Sequence, residues 1–443
     1  MALKTYIKHM LNVKHTVIKN LKYDKKSDEL IISVKPTKGH LLLCPECGKR
    51  CNQYDSLGTR RWRALDMATT KVFLEGPVVR ANCKAHGILT ASVPWARHNS
   101  SFTRDFENNV VWMTKYLPKT AVSKMQRISW NTIGPIISRF RKDTDPEPAH
   151  RFENLKRIGI DEISYKKGHK YLTVIVNHDT NSVIWVHDKH GKEVLEEFFE
   201  SLTDQQRDSI DCVSADGARW ISETLDKYVP NAARCLDLYH MTEWAMEAVD
   251  QVRTEAWHRA KDKEKKNKVG RPKKGQEPDK TASKIKHTKM ALGKSPEKLT
   301  QYQRQQLDFI AATDNKLYKA YVLKEHLRTL VKLPYEEVEE QLKDWLWKTS
   351  HSQIPSIYEL QKKIRRHREA ILNTVKYHLS NARVEATNNK IKLTIRMAYG
   401  FRSIDNLIDM IFLRCSDIPC YLPWEYKNDP SLVLTCKIFT HKF

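Results

Sequence analysis

No stretch of this 443-residue chain offers about 18 consecutive apolar residues, which excludes a helix that spans a bilayer. The first twenty residues (MALKTYIKHMLNVKHTVIKN) carry Lys or His every few positions. They have no apolar h-region and no small-residue cleavage site, so they do not read as a secretion signal. No internal repeat is visible. The nine cysteines are not spread like a disulfide framework: Cys44, Cys47, Cys51 and Cys83 crowd the first quarter and the rest are scattered. Acid is scarce beside base, with 53 Asp+Glu against 77 Lys+Arg, a net charge of +24 and a pI near 9.5. These absences lead to the expectation of a soluble, cytoplasmic protein with no membrane partner. The charge excess calls for a polyanion such as DNA, RNA or an acidic membrane surface, and charge alone does not choose among them. An ordinary basic cytosolic protein is the plain alternative.

What is present supports folded domains. With 40% hydrophobic and 9% aromatic residues, the chain can bury real cores, so global disorder is excluded. Its length suits two to four domains.

The crowded cysteines carry the first motif. Cys44 and Cys47 stand two apart in CPECG, a tight turn that aims two thiolates at one point. Cys83 and His86 in NCKAHG repeat the spacing after 35 intervening residues. Three thiolates and an imidazole make a common structural zinc site, which lets a small unit with little core stay folded. His40 and Cys51 are rival ligands, and unconnected thiols with a surface His are the alternative. A strand is expected in DELIISV (28–34), and further strand-like segments lie in WRALD, KVFLEG and VVRANC.

Residues 101–142 read as helical. Within them, Thr120–Gln126, the turn Arg127-Ile128-Ser129 and a helix from Trp130 have helix-turn-helix spacing, with Ser129 as N-cap. Ala121, Met125, Ile128, Ile133 and Ile137 are expected to join the two helices. Trp130, Asn131, Thr132, Arg139 and Arg141 are the candidates to face DNA. A purely structural helix pair has the same pattern.

The Pro-rich acidic segment DTDPEPAH (143–150) marks a boundary. Beyond it, LKRIGIDEISY, KYLTVIVNH and NSVIWVHD predict an antiparallel meander. The order then continues helix (VLEEFFESL), strand (IDCVSAD), helix (GARWISETLDKY), strand (ARCLDLYH), and a long helix from near Met241. This describes a mixed sheet with helices on its faces. The Lys-rich run at 260–300, with GRPKKG resembling the core of a minor-groove arm or else forming a solvated linker, opens a helical insertion of about 140 residues.

Three acids stand at telling places. Asp161 interrupts the apolar first strand, and Asp216 ends a buried strand where a helix follows. Glu385 opens a basic helix on which Glu385, Asn388, Asn389, Lys392 and Arg396 share a face. If they met, they would suit two Mg²⁺ or Mn²⁺ ions and in-line phosphoryl displacement. Singly, they read as a surface strand acid, a helix cap and a solvated helix acid. Periodicity does not show that they meet.

GIDEISYKKGHKYLTVIVNHD resembles the opening of the catalytic domain in DDE transposases of the bacterial ISL-three insertion-sequence family. CPECG, VRANCKAHG and VPWARHNSSFT are similar to that family's zinc-binding N-terminus. LDLYHMTEWA is similar to its Asp-x-Phe-His strand end, with Tyr239 in place of Phe. NARVEATNNKIKLTIRMAYGFR is similar to its Asn-x-(Arg/Lys)-Val-Glu block. The likeness runs from about residue 40 to 420.

It implies a multidomain α/β protein whose RNase H-like catalytic domain is interrupted by a helical insertion and preceded by a zinc unit and a helix-turn-helix. The implied domains are 1–98 (zinc-binding), 99–150 (helix-turn-helix), 151–240 (catalytic, first part), 241–380 (insertion) and 381–420 (last catalytic helix). No role is assigned to 421–443. Motif by motif, the likeness places the catalytic, metal-binding triad on Asp161, Asp216 and Glu385. Asp237 and His240 become an accessory pair, with a buried Asp–His hydrogen bond as the structural alternative. Arg383, Asn389, Lys390, Lys392 and Arg396 would contact DNA. The partners implied are terminal inverted repeats and target DNA, with at least a dimer at work on bacterial nucleoid DNA. A metal-dependent nuclease on the same fold and a non-catalytic DNA-binding regulator are the rival functions.

Overall fold

The computed structural model of the chain describes residues 3–145, 148–267, 280–379 and 382–428. GRPKKG and residues 429–443 lie outside the described residues, as does the side chain of Arg383. The chain divides into two compact units: Met1–Arg151 with Lys390–Phe443, and Phe152–Asn389.

The first unit begins with α1 (Leu3–Met10) and a sheet of β1 (Thr16–Asp24), β2 (Glu29–Pro36), β3 (Asn52–Arg63), β4 (Lys71–Cys83) and β5 (Gly87–Thr90). The strand order is β1-β2-β4-β3, with β5 paired to β4. Alternation along the strands sends Ile18, Ile32, Val34, Trp62, Val72 and Leu74 to one core, where the Trp95 ring meets Trp62 edge-on at 5.4 Å. Three helices follow: α2 (Arg104–Tyr116), α3 (Lys119–Gln126) and α4 (Trp130–Thr144). Thr103 caps α2 by accepting from the Phe106 N–H. Inside this unit the Glu107 carboxylate is fully buried, paired with Arg97 at 3.2 Å and Arg139 at 2.7 Å, and it accepts from Ser100.

The second unit carries a mixed sheet, flanked and followed by helices. Its elements are β6 (Arg157–Lys166), β7 (Lys170–Asn177), β8 (Ser182–His187), α5 (Lys192–Glu200), α6 (Asp204–Asp208), β9 (Cys212–Ala215), α7 (Arg219–Tyr228) and β10 (Ala233–Leu236). The order is β10-β9-β6-β7-β8; β6, β7 and β8 form the antiparallel meander, and β10, β9 and β6 run parallel. Phe198, Phe199, Leu195, Ile158 and Ile175 fill the core on one side.

The long helix α8 (Leu238–Asn267) starts directly after Asp237, three residues before the expected Met241, so His240 sits in its first turn rather than on the strand. Among the described residues seven α-helices follow: α9 (Thr281–Lys286), α10 (Lys289–Gly293), α11 (Gln301–Thr313), α12 (Asn315–Leu330), α13 (Tyr335–Ser350), α14 (Pro355–Arg366) and α15 (Arg368–Lys376). With α8 they bury a separate core around Trp345, Leu317, Leu342 and Ile357. The last of them returns to the sheet, where Asn373 Nδ2 and Thr374 Oγ1 donate to the carbonyls of Arg234 and Leu236 at 3.0 and 2.8 Å.

The final helices are α16 (Ala382–Met397), α17 (Ile404–Cys415) and α18 (Pro423–Asn428). The division between the units falls within α16, and α17 packs on α4 and α2 in the first unit. Among the described residues no helix is long and apolar enough to cross a membrane.

Candidate functional site

The parallel strands set the acids in a row. Gly159 on β6 pairs with Ser214 on β9, so two residues further on Asp161 falls level with Asp216. Leu236 on β10 pairs with Ala215, and the Asp237 N–H donates to the Ala215 carbonyl at 3.0 Å, which brings Asp237 level with Asp216 on its other side. Adjacent strands lie about 4.8 Å apart, so the backbone brings three carboxylate-bearing positions to one edge.

Residues two apart on a strand share a face, so Asp161 points where Gly159 points. That face is covered by α16. A Cβ on Gly159 would meet His178 Nε2 at 2.8 Å and Val384 Cγ2 at 3.1 Å, so glycine lets the helix approach. Asn388, one turn from Val384, donates from Nδ2 to Asp161 Oδ2. The other Asp161 oxygen accepts from the Glu162 N–H at 2.7 Å. Asp216 Oδ1 accepts from the Ala218 N–H at 2.8 Å, just ahead of α7. The cap-like bond and the place in the row therefore coexist.

Glu385 lies on the exposed side of the same turn of α16. Burial, reinforced by the charges of Asp161 and Glu385, holds the Asp237 carboxyl above the usual aspartate range. The Tyr239 N–H and His240 pull it the other way. The His240 ring sits 3.4 Å from Glu243. Burial also raises Glu162, with Asp216 and Asp161 adding to it and His190, 3.6 Å away, opposing it.

Two oxygens at this place are buried without a hydrogen-bond partner: Asn388 Oδ1 and Glu162 Oε1. Mutually repelling acids and an orphaned amide oxygen are the hard-oxygen donor set that suits Mg²⁺ or Mn²⁺. Among the described residues, no three of these acids have their oxygens within 4.8 Å of one another. Sequence reading placed Asn388 on the face of Glu385 but not its bond to Asp161. It missed Glu162 and the Gly159–His178 contact. The one signal for the contact was a glycine two residues before an acid in an apolar strand.

The second site does gather its ligands. Cys44 Sγ, Cys47 Sγ, Cys83 Sγ and a His86 ring nitrogen lie within 4.8 Å of one another. Sulfur to sulfur is 3.8 Å for Cys47 and Cys83; Cys83 and Cys44 stand 3.6 and 3.7 Å from His86 Nδ1. A tetrahedron with Zn–S of about 2.3 Å and Zn–N of about 2.0–2.1 Å has edges of about 3.8 and 3.5 Å. Backbone N–H groups of Ala85 and His86, with the His86 side chain, lower the Cys83 thiol to about 6, toward the thiolate a metal needs. Neither rival belongs to this group, although Cys51 borders it, its thiol raised by burial and by Cys83. His40 stacks on His15 at 3.6 Å between ring centroids, and Cys51 Sγ faces the Lys49 carbonyl at 3.4 Å.

The helix pair has the expected bounds: α3 ends at Gln126, Arg127 turns in the left-handed region (φ 52°), and α4 starts at Trp130. Three details differ. Ser129 occupies the N-cap without a side-chain bond. Val122 is buried in α3, whereas Met125, in its last turn, is 56% exposed. Arg139 and Arg141 turn inward, to Glu107 and Asp409 at 2.7 Å each. Trp130 and Asn131 are exposed and Thr132 is half-buried. On α16, Asn389, Lys390, Lys392 and Arg396 are exposed, while Val384, Thr387, Ile391 and Thr394 are buried.

A Cys₃His cluster that could hold a metal ion, a helix-turn-helix and a carboxylate row on a mixed sheet are the features of a DNA-directed protein. Comparison with known proteins makes the class specific. Residues 158–411 match the family model described as transposase, and residues 91–141 match the helix-turn-helix domain of transposase family ISL3. The chain is 39% identical over 430 residues, 95% of its length and 96% of the relative's, to the transposase for insertion sequence element IS1557 of Mycobacterium tuberculosis, in strains CDC 1551 / Oshkosh and ATCC 25618 / H37Rv. It is 24% identical over 376 residues, 84% and 88% of the two lengths, to the transposase for insertion sequence element IS1001 of Bordetella parapertussis. The chain belongs to the ISL3 family of transposases.

Proposed function

We propose that this protein cuts DNA at the ends of an insertion sequence and joins the freed ends to target DNA. The observation that carries this reading is the level row of Asp161, Asp216 and Asp237 beneath the helix that bears Glu385 and Asn388. The sheet order, with β6 central between parallel and antiparallel neighbours, supports an RNase H-like catalytic domain, and the helices from α8 to α15 are its insertion. Residues 1–98 form the zinc-binding domain and 99–150 the helix-turn-helix that reads terminal inverted repeats. The catalytic domain is 151–240 with 381–420, and 241–380 is the insertion.

Asp161, Asp216 and Glu385 would hold two Mg²⁺ or Mn²⁺ ions, which supply activation of the attacking oxygen and stabilisation of the leaving oxygen. Asn388 orients Asp161, and its orphaned amide oxygen is free to join the oxygen-donor set. Asp237 and His240 brace the row from its β10 side. Arg383, Asn389, Lys390, Lys392 and Arg396 hold phosphates along α16, and Trp130, Asn131 and Thr132 meet DNA at the start of α4. Arg139 is bound to Glu107, so its role is to fix α4 on α2 rather than to touch DNA.

In the first step a water oxygen attacks phosphorus in line and the bond to the 3′-oxygen breaks, leaving a 3′-hydroxyl on the element and a phosphate on the flank. In the second, that hydroxyl attacks a target phosphodiester, displacing a 3′-oxygen. Two ends must be joined, so the working form is a dimer or larger. Cys44, Cys47, Cys83 and His86 hold zinc as a structural ion.

The test is Asp161→Ala on DNA carrying the element's own ends. The expected result is loss of cutting with DNA binding intact, and wild type joins a pre-cut end with a free 3′-hydroxyl to plasmid. Cutting without joining would assign a nuclease; unchanged cutting in the variant would remove Asp161 from the chemistry.

A further inference from the structure

The cleft beside the start of α4 is not explained by duplex reading. It lies within the first unit and is lined by Lys119, Trp130, Tyr399, Phe401 and Arg414 among others. The Lys119 ammonium stands 5.5 Å from the ring centroids of both Trp130 and Phe401, a cation held between two aromatic faces. Trp130 is 47% exposed, and Tyr399 is completely exposed.

Tyr399 is also an outlier in backbone. It lies just past the end of α16 at φ 52°, followed by Gly400 at φ 93°. Glycine adopts this region freely, but an aromatic residue rarely does. The C-cap geometry is closed by the Gly400 N–H bonded to the Ile395 carbonyl and the Tyr399 N–H to the Arg396 carbonyl, both at 3.0 Å. This is an ordinary close of a helix C-terminus, and it leaves the Tyr399 ring in water at the cleft.

The surroundings fix the partner's chemistry. Arg396 and Arg402 are exposed nearby in sequence; Arg414 lines the cleft but donates to the Thr114 and Leu117 carbonyls, so Lys119 is the cation that faces the rings. Asp409, whose charge acts on Lys119, is itself bound to Arg141. The cleft is therefore aromatic and cationic, complementary to an anion with flat rings. Inside duplex DNA the base faces are covered by their neighbours, whereas unpaired nucleotides offer both faces to side-chain rings of this kind.

We propose that Trp130, Tyr399 and Phe401, with Lys119, form a binding site for unpaired nucleotides flanking the duplex that the helix-turn-helix holds. This deepens the function proposed above and rests on it for DNA as the partner.

The test measures binding of the full chain to a labelled duplex, with and without a five-nucleotide single-stranded extension. Wild type should bind the extended DNA about tenfold more tightly, and 2-aminopurine in the extension should be quenched. Y399A and F401A should each remove most of that gain, a loss of about 5- to 10-fold on extended DNA. Blunt-duplex affinity should stay within about twofold, and Y399W should keep the gain.

Equal binding of the two DNAs by wild type, or equal weakening of both by Y399A, overturns the proposal while leaving the transposase reading intact. Self-association lost in Y399A with DNA binding unchanged also overturns it, by assigning the rings to a second copy. Failure of wild type to bind either DNA overturns both readings.

Discussion

At the residue scale, the acid row depends on one amide. Asn388 holds Asp161 from one atom and leaves its other polar atom buried and unpartnered. Asn388→Ala should therefore slow DNA cutting by about 10- to 100-fold, the usual cost of removing a group that orients a metal ligand. It should also raise the Mn²⁺ concentration needed for half-maximal rate, which a metal titration of the cleavage rate checks. Asp143 provides a prediction away from the chemistry. Burial opposes its ionisation, but Arg104 and Arg97 outweigh burial and lower its pKa. A depressed carboxyl contributes stability that is present above the ordinary value near 3.8 and is lost as pH falls through the folded value. The advantage of wild type over Asp143→Asn in thermal melts should be constant near neutrality and shrink as the pH falls below about 4.

At the scale of elements, the Cys₃His centre should hold the β-sheet unit together. The purified chain should contain one zinc per molecule by elemental analysis. Cys83→Ser or a strong chelator should remove it and lower the melting of this unit by roughly 10 °C or more. Retention of zinc in Cys83→Ser would contradict the ligand set.

This scale also shows what could be read from the sequence. Paired two-residue spacings gave the Cys₃His cluster because a knuckle turn is local, and the helix-turn-helix bounds followed from a three-residue turn. The inward face of α3 did not follow, because Val122 rather than Met125 is buried there. Glu107 looked like any surface acid of an amphipathic helix; only folding brings Arg97 and Arg139 to it. The strand β1 went unread, because its run TVIKNLKYD is dominated by polar residues and much of it is exposed.

At the scale of the whole molecule, family resemblance named Asp161, Asp216 and Glu385, while periodicity alone could not bring them together. Register does part of that work: parallel pairing of β6, β9 and β10 sets Asp161, Asp216 and Asp237 level. A charge of +24 predicts that DNA binding is strongly salt-dependent. If about six phosphates or more are neutralised, the slope of log affinity against log salt should be about −5 or steeper. A slope near −1, read by fluorescence anisotropy between low and physiological salt, would mean that few of these cations touch DNA.

The central claim is that the acid row with Glu385 is a centre for DNA cutting and joining. The most direct measurement sets Glu385→Gln beside wild type on DNA carrying the element's ends, with Mg²⁺ or Mn²⁺. Wild type should cut at the end and join that 3′-end to a second DNA, while the variant should bind equally well and do neither. Cutting and joining by Glu385→Gln at the wild-type rate would contradict it.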